Sequence, residues 1–205
     1  MATTTNYSWT TPNDSDPFRN GASAIRTLGS SVDTTLFTAL GGAYPGLRLV
    51  KKQTIASGAA SQAVTDCFSA TYNNYKILVS GGTSSTTTTM LWYLNGITTG
   101  NYTAMNYASL ASGAGAAINQ ANAGFFNWGG WAAGSTVYMD FEIQNPFTAK
   151  AKIGHSRFIE ASITGNAGAA HYFNASTASA TGFTIYPAAG TLTGGTIYVY
   201  GYGTS

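Results

Sequence analysis

Apolar residues recur at alternating spacings of four and three between Asp16 and Leu40: Phe18, Ala22, Ile25, Gly29, Val32, Leu36 and Ala39. This is an a/d heptad stripe over about three repeats, the pattern of a helix that meets other helices along one seam. Asp16-Pro17 suits its start, an N-cap acid followed by a residue whose missing N–H and fixed φ fit the first helical position. Gly41-Gly42 suits its end. Gly21 and Gly29 each cost about 1 kcal/mol against alanine, and Ser30, Thr34 and Thr35 do not help. A helix so poor in propensity needs partners, so the spacing predicts a short oligomerising stalk, most simply three-stranded. Its seam is Phe18, Ala22, Ile25, Val32 and Leu36. An amphipathic helix packed on its own domain carries the same pattern.

After the hinge-like Gly41-Gly42-Ala43-Tyr44-Pro45-Gly46 the period changes from 3.6 to 2. Strands are expected over about Leu47–Ile55, Ala63–Ser69, Tyr75–Ser80, Thr89–Leu94, Tyr102–Leu110, Gly124–Trp128, Thr136–Gln144, Lys152–Ile163, His171–Asn174, Gly182–Tyr186 and Thr196–Tyr202. Asn73-Asn74, Gly81-Gly82, Asn95-Gly96, Gly129-Gly130, Asn145-Pro146 and Gly194-Gly195 mark turns between them. Val137, Met139, Phe141 and Ile143 alternate with Tyr138, Asp140, Glu142 and Gln144, as in a half-buried antiparallel strand. In the last strand Tyr198, Tyr200 and Tyr202 share one face, a contact surface. Ala111–Gly124, rich in alanine and glycine, reads as a long loop. The fold class is mostly β: an antiparallel sandwich of jelly-roll type over 47–205, preceded by a helical stalk and hinge over 16–46 and an extended arm over 1–15.

The arm, MATTTNYSWTTPNDS, is too short and polar to fold alone. Tyr7 and Trp9 suit a docking peptide laid in another protein's groove, while a frayed terminus has the same composition. It has neither the basic start nor the apolar stretch of a secretory signal, and no run reaches the roughly 18 apolar residues of a membrane span. Synthesis in a cytoplasm and no membrane insertion are therefore expected. Charged residues are 8 % of the chain and the net charge is +2, too little to track nucleic acid. Hydrophobic residues at 44 % and thirteen tyrosines exclude disorder and fit a β-rich surface. The single Cys67 lies in an apolar-leaning run and reads as a small buried hydrophobe.

TTTNYSWTTPND followed by GASAIRTLGSSVDTTL resembles the attachment segment and short stalk of bacteriophage tail-fibre and minor tail proteins. FSATYNNYKILVSGG and the closing TGGTIYVYGYG resemble the β-sandwich heads of the same class. The resemblance covers the first 40 residues well and the head more loosely. It implies a homotrimer in the virion tail, held at its N-terminus by a tail or baseplate protein, with a head that touches a host receptor. It implies no catalytic residues and no cofactor.

Chemistry is sparse. Asp140 and Glu142 lie on one strand face about 7 Å apart, near the spacing of a glycosidase pair, so a glycan-cleaving tailspike is one alternative. Two acids on a solvated face, paired with Lys150, Lys152 or Arg157, are the plainer reading. His155 and His171 match no metal-ligand spacing, and no metal site is expected. Binding is better supported. In GFFNWGGW the glycines suggest an exposed turn carrying Trp128 and Trp131. With Asn127, Tyr102 and Tyr107 they make a glycan or receptor contact, the rings stacking on sugar faces and the amide meeting hydroxyls. The same aromatics also suit the core or a subunit interface. A capsid or baseplate decoration protein, without a receptor role, is the other alternative.

Overall fold

The computed structural model describes residues 2–12, 17, 20–39, 46–162 and 164–203. It divides into two compact units, Met1–Gly46 with Gly203–Ser205, and Leu47–Tyr202. Phe18 of the expected seam, the Asp16 cap and residues 41–45 of the hinge lie outside the described residues.

In the first unit the arm is not extended. β1 (Ala2–Thr3) and β2 (Thr10–Thr11) pair as an antiparallel hairpin, Ala2 opposite Thr11. The hairpin is closed by Thr4 and Trp9, whose backbone N–H groups bond Trp9 O and Thr4 Oγ1 respectively. β2 packs on α1 (Gly21–Ala39), and the indole N–H of Trp9 donates to Thr35 Oγ1 at 2.9 Å. Tyr7 stacks on Trp9 with ring centroids 5.1 Å apart. The arm thus folds back because Trp9 finds a partner in the Ala24–Thr35 side of the helix, where Ala24 is buried, while Tyr7 stays exposed on top of Trp9.

The second unit is built of antiparallel strands: β3 (Gly46–Thr54), β4 (Gln62–Val64), β5 (Asn74–Ser80), β6 (Thr83–Ser84), β7 (Thr88–Leu94), β8 (Asn101–Ser109), β9 (Gly115–Ala123), β10 (Phe126–Ala133), β11 (Thr136–Gln144), β12 (Lys152–Ile159), β13 (Asn166–Asn174), β14 (Phe183–Pro187), β15 (Leu192–Thr193) and β16 (Thr196–Gly203). One wing runs β3-β16-β5-β11-β12-β13-β8-β9 and the other β4-β14-β7-β10. They join at β11, whose residues 136–139 pair with β10 and whose residues 140–144 pair with β12. β10 then lies over β12, β13 and β8, so the wings face each other as in a sandwich. The consecutive strands β10 to β13 are also spatial neighbours, the order of a meander.

The core sits where the wings meet. Trp92 from one wing stacks on Phe141 of the other at 4.4 Å and meets Phe126 at 4.4 Å and Tyr172 at 5.1 Å. Cys67 is buried here too, as its neighbours suggested. Ala111–Gly124 is not a loop but contains the edge strand β9, paired to β8. GFFNWGGW is not an exposed turn but most of strand β10, interior to its sheet between β7 and β11. Its glycines serve close approach: a Cβ at Gly129 would stand 2.6 Å from Met139 Cε and 2.8 Å from Trp92 Cδ1.

Burial raises the Cys67 thiol and the Tyr186 and Tyr202 hydroxyls to about 12. It also raises Tyr75, Tyr138 and Tyr172, and lowers the Lys152 amine. For the six raised acids the native chain keeps protons that the unfolded chain releases, so their contribution is complete below pH 9 and is lost as pH climbs toward 12. Lys152 acts oppositely, adding stability as pH rises to its ordinary 10.5. The six outweigh the one. The urea midpoint is expected to hold level to about pH 9 and fall beyond it, with Tyr172→Phe falling less steeply. A midpoint level or rising up to pH 11 would contradict this.

Candidate functional site

The wing that contains β12, β13 and β8 is partly inside out. Along β12 the buried positions are Lys152, Gly154, Ser156 and Phe158, and the exposed ones Ile153, His155, Arg157 and Ile159. On β12 both inward polar side chains are satisfied. Lys152 Nζ donates to Thr148 O and Lys150 O, at 2.7 and 2.6 Å. Ser156 Oγ donates to Trp128 O at 2.7 Å and lies 2.6 Å from the Tyr172 hydroxyl. On β13 and β8, Asn174 and Asn101 are buried together, with Asn174 Nδ2 donating to Asn101 Oδ1 at 2.7 Å and to Thr99 O at 2.9 Å.

Apolar side chains are thereby left on the outside. Ile153, Phe173 and Tyr102 stand in direct cross-strand register over β12, β13 and β8, 49 %, 45 % and 43 % exposed. Tyr102 and Phe173 hold their ring centroids 6.3 Å apart. Beside them runs a groove of about 300 Å³ lined by Tyr102, Ala104, Asn119, Gln120, His171 and Phe173, among others. Gln120 Oε1 is buried and has no hydrogen-bond partner among the described residues. A shallow trough with two rings, two amides and an imidazole can stack on one face of a ligand and hydrogen-bond its edge.

Of the residues expected at a contact surface, Tyr102 alone lines this groove. Trp128 takes φ of +54° at a bulge in β10 and packs against the core. Asn127 is tied beside it, its Oδ1 accepting from the Trp128 N–H at 2.8 Å and its own N–H donating to Thr103 Oγ1. Trp131 is half-buried on the other wing, opposite Tyr138 and Thr89. Tyr107 is half-buried against the core. The groove's missing members lay in segments with no strong pattern: Asn119 and Gln120 on the unforeseen β9, and Phe173 on a strand whose inward residues are Ala170, Tyr172 and Asn174.

Asp140 and Glu142 share a face as the alternation indicated, but their partner is Lys76 on β5. Its Nζ lies 2.6 Å from Asp140 Oδ1 and 3.4 Å from Glu142 Oε1, with Arg157 3.5 Å from Asp140. Lys152, expected as a partner for these acids, is instead buried against backbone carbonyls. On the last strand Tyr198 and Tyr200 stack at 6.4 Å, and Lys52 sits over Tyr198.

In α1 the seam residues Ala22, Ile25 and Leu36 are exposed, Ile25 by 64 % and Leu36 by 53 %, and Val32 is half-buried. Ile25 and Leu36 lie one residue on, about 100° round, from the Ala24 and Thr35 positions that the hairpin covers. No helix of the described residues is long and apolar enough to cross a membrane.

No protein-family model matches the chain, and no curated protein matches it. Among solved structures, a chain described as "Structure of infectious bursal disease virus Gx strain" is 14 % identical over 78 % of this chain, with a TM-score of 0.14. This chain spans 37 % of that one.

Proposed function

We propose that this chain is a trimeric appendage of a phage virion, a tail fibre whose β domain binds a glycan on the host surface. The observation that carries the reading is the helix seam. One side of α1 is covered by its own hairpin, yet Ile25 and Leu36, both on the heptad stripe, remain more than half exposed. An apolar stripe of that regularity is stabilised by copies of itself. The resemblance of the first 40 residues to fibre attachment segments and stalks points the same way, with Tyr7 and Trp9 as the contact for a tail or baseplate protein and Phe18, Ala22 and Val32 completing the seam. Jelly-roll heads on such stalks are sandwiches of the kind proposed for 47–205.

Within that reading the Tyr102–Phe173 groove is the receptor contact. A sugar ring stacks its C–H face on the two rings while its hydroxyls meet Asn119, His171 and the unpartnered Gln120 oxygen. No catalytic step is assigned: Lys76 bridges the two carboxylates of β11, and Arg157 supplies a second positive charge beside Asp140.

Two measurements test this. Light scattering on the full chain is expected to give the mass of three 21.2 kDa chains; a single-chain mass refutes the fibre. With the trimer intact, Tyr102→Ala with Phe173→Ala is expected to weaken adsorption to host cells by about tenfold or more, as for loss of an anchoring aromatic pair. Undiminished adsorption removes the groove from the receptor contact, and no adsorption by the unsubstituted trimer favours a decoration role.

A further inference from the structure

The chain has two histidines, His155 and His171, and the β12–β13 ladder sets them directly opposite each other. Both are exposed on the outer face. Neither imidazole makes a hydrogen bond or an ion pair among the described residues. Directly opposed side chains on one face of an antiparallel pair have Cβ atoms about 4.5–5.5 Å apart. Two nitrogens bound to one ion at about 2.0–2.1 Å are themselves about 3 Å apart. Rotation of two free rings about their side-chain bonds spans that difference without moving the backbone.

We propose that His155 and His171 form a two-imidazole site for a divalent transition ion of the Zn²⁺, Ni²⁺ or Cu²⁺ class, with water completing the coordination. Imidazole selects these ions over Ca²⁺ and Mg²⁺, which take oxygen ligands. Glu142 flanks His155 on its other side in β11. It is held by Lys76, and two strand spacings, about 10 Å, separate it from His171. No group of three or more His, Cys, Asp or Glu side chains among the described residues converges to hold a metal. The site is therefore a chelate of two protein ligands, open to solvent, and weaker than a structural zinc centre. The site does not depend on oligomeric state or on a receptor.

The test is calorimetric titration of the full chain, first stripped with a chelator, with Cu²⁺ near neutral pH, and electron paramagnetic resonance of the adduct. Expected are one tightest ion per chain, a spectrum with two nitrogen ligands, and competition by Zn²⁺ and Ni²⁺. His155→Ala and His171→Ala should each weaken binding by about tenfold or more, as for loss of one of two coordinate bonds. Glu142→Gln should leave it unchanged. Both histidines are exposed, so far-UV circular dichroism of the variants should match the parent. Binding that survives in the double variant, binding lost in Glu142→Gln, or none at millimolar metal would each overturn the site.

Discussion

Replacing Ile25 and Leu36 together by aspartate is expected to bring the particle mass from that of three chains to that of one. Each of these side chains gains about 1.5–3 kcal/mol when fully buried. The substitution removes that gain in every copy and sets three carboxylates facing one another at two levels of the seam. At close range in a partly desolvated interface, like charges repel by kilocalories rather than tenths. Little else in the first unit is disturbed. Ala24, Thr35 and the Trp9 indole occupy the neighbouring side of the helix, so the hairpin contact survives and the tryptophan emission of Trp9 should hardly move. Ser30→Asp, an exposed helix position off the stripe, is the control and should leave the mass unchanged. Sedimentation velocity distinguishes the outcomes. A double variant that still sediments with three chains would show that the seam does not hold the assembly.

The helix was legible because its signal is a periodicity, and periodicity survives poor propensity. Most strands were legible for the same reason: Thr136–Gln144 alternates cleanly and is found with those bounds. What misled were residues whose role depends on a partner far along the chain. Gly129 and Gly130 read as turn formers, yet they lie mid-strand because Met139, Trp92 and the Tyr138 carbonyl leave no room for a Cβ. β9 has no β-branched residue except Ile118 and no alternation, since it is an edge strand exposed along nearly its whole length. β12 inverts the usual rule, burying Lys152 and Ser156 while exposing Ile153 and Ile159, because loop carbonyls and the Trp128–Tyr172 pair supply the polar partners within. The histidine pair needed the ladder register. Fifteen residues lie between them, and only the pairing of β12 with β13 sets them opposite each other.

Trp92→Ala is expected to cost the second unit about 3–5 kcal/mol, the range for removing a fully buried aromatic that the core cannot refill. For a domain of this size that is a fall in melting temperature of roughly 10 °C. The indole is the tie between the wings. It contacts Phe126 from its own wing and Phe141 and Tyr172 from the other, so its loss opens one cavity shared by both sheets. Trp92→Phe should be far milder, about 1 kcal/mol. It keeps a ring against those partners and removes an indole N–H that is buried without a hydrogen bond among the described residues. Gly129 supplies a further check on the same geometry. An alanine there meets both Trp92 Cδ1 and Met139 Cε, so Gly129→Ala should destabilise the parent strongly. In the Trp92→Ala background the indole clash is gone and only the flexible Met139 tip must shift. The two costs should therefore be less than additive in a double-mutant cycle followed by chemical denaturation. Strict additivity would mean that the indole does not fill the space the glycine leaves, and that the wings are joined by other contacts.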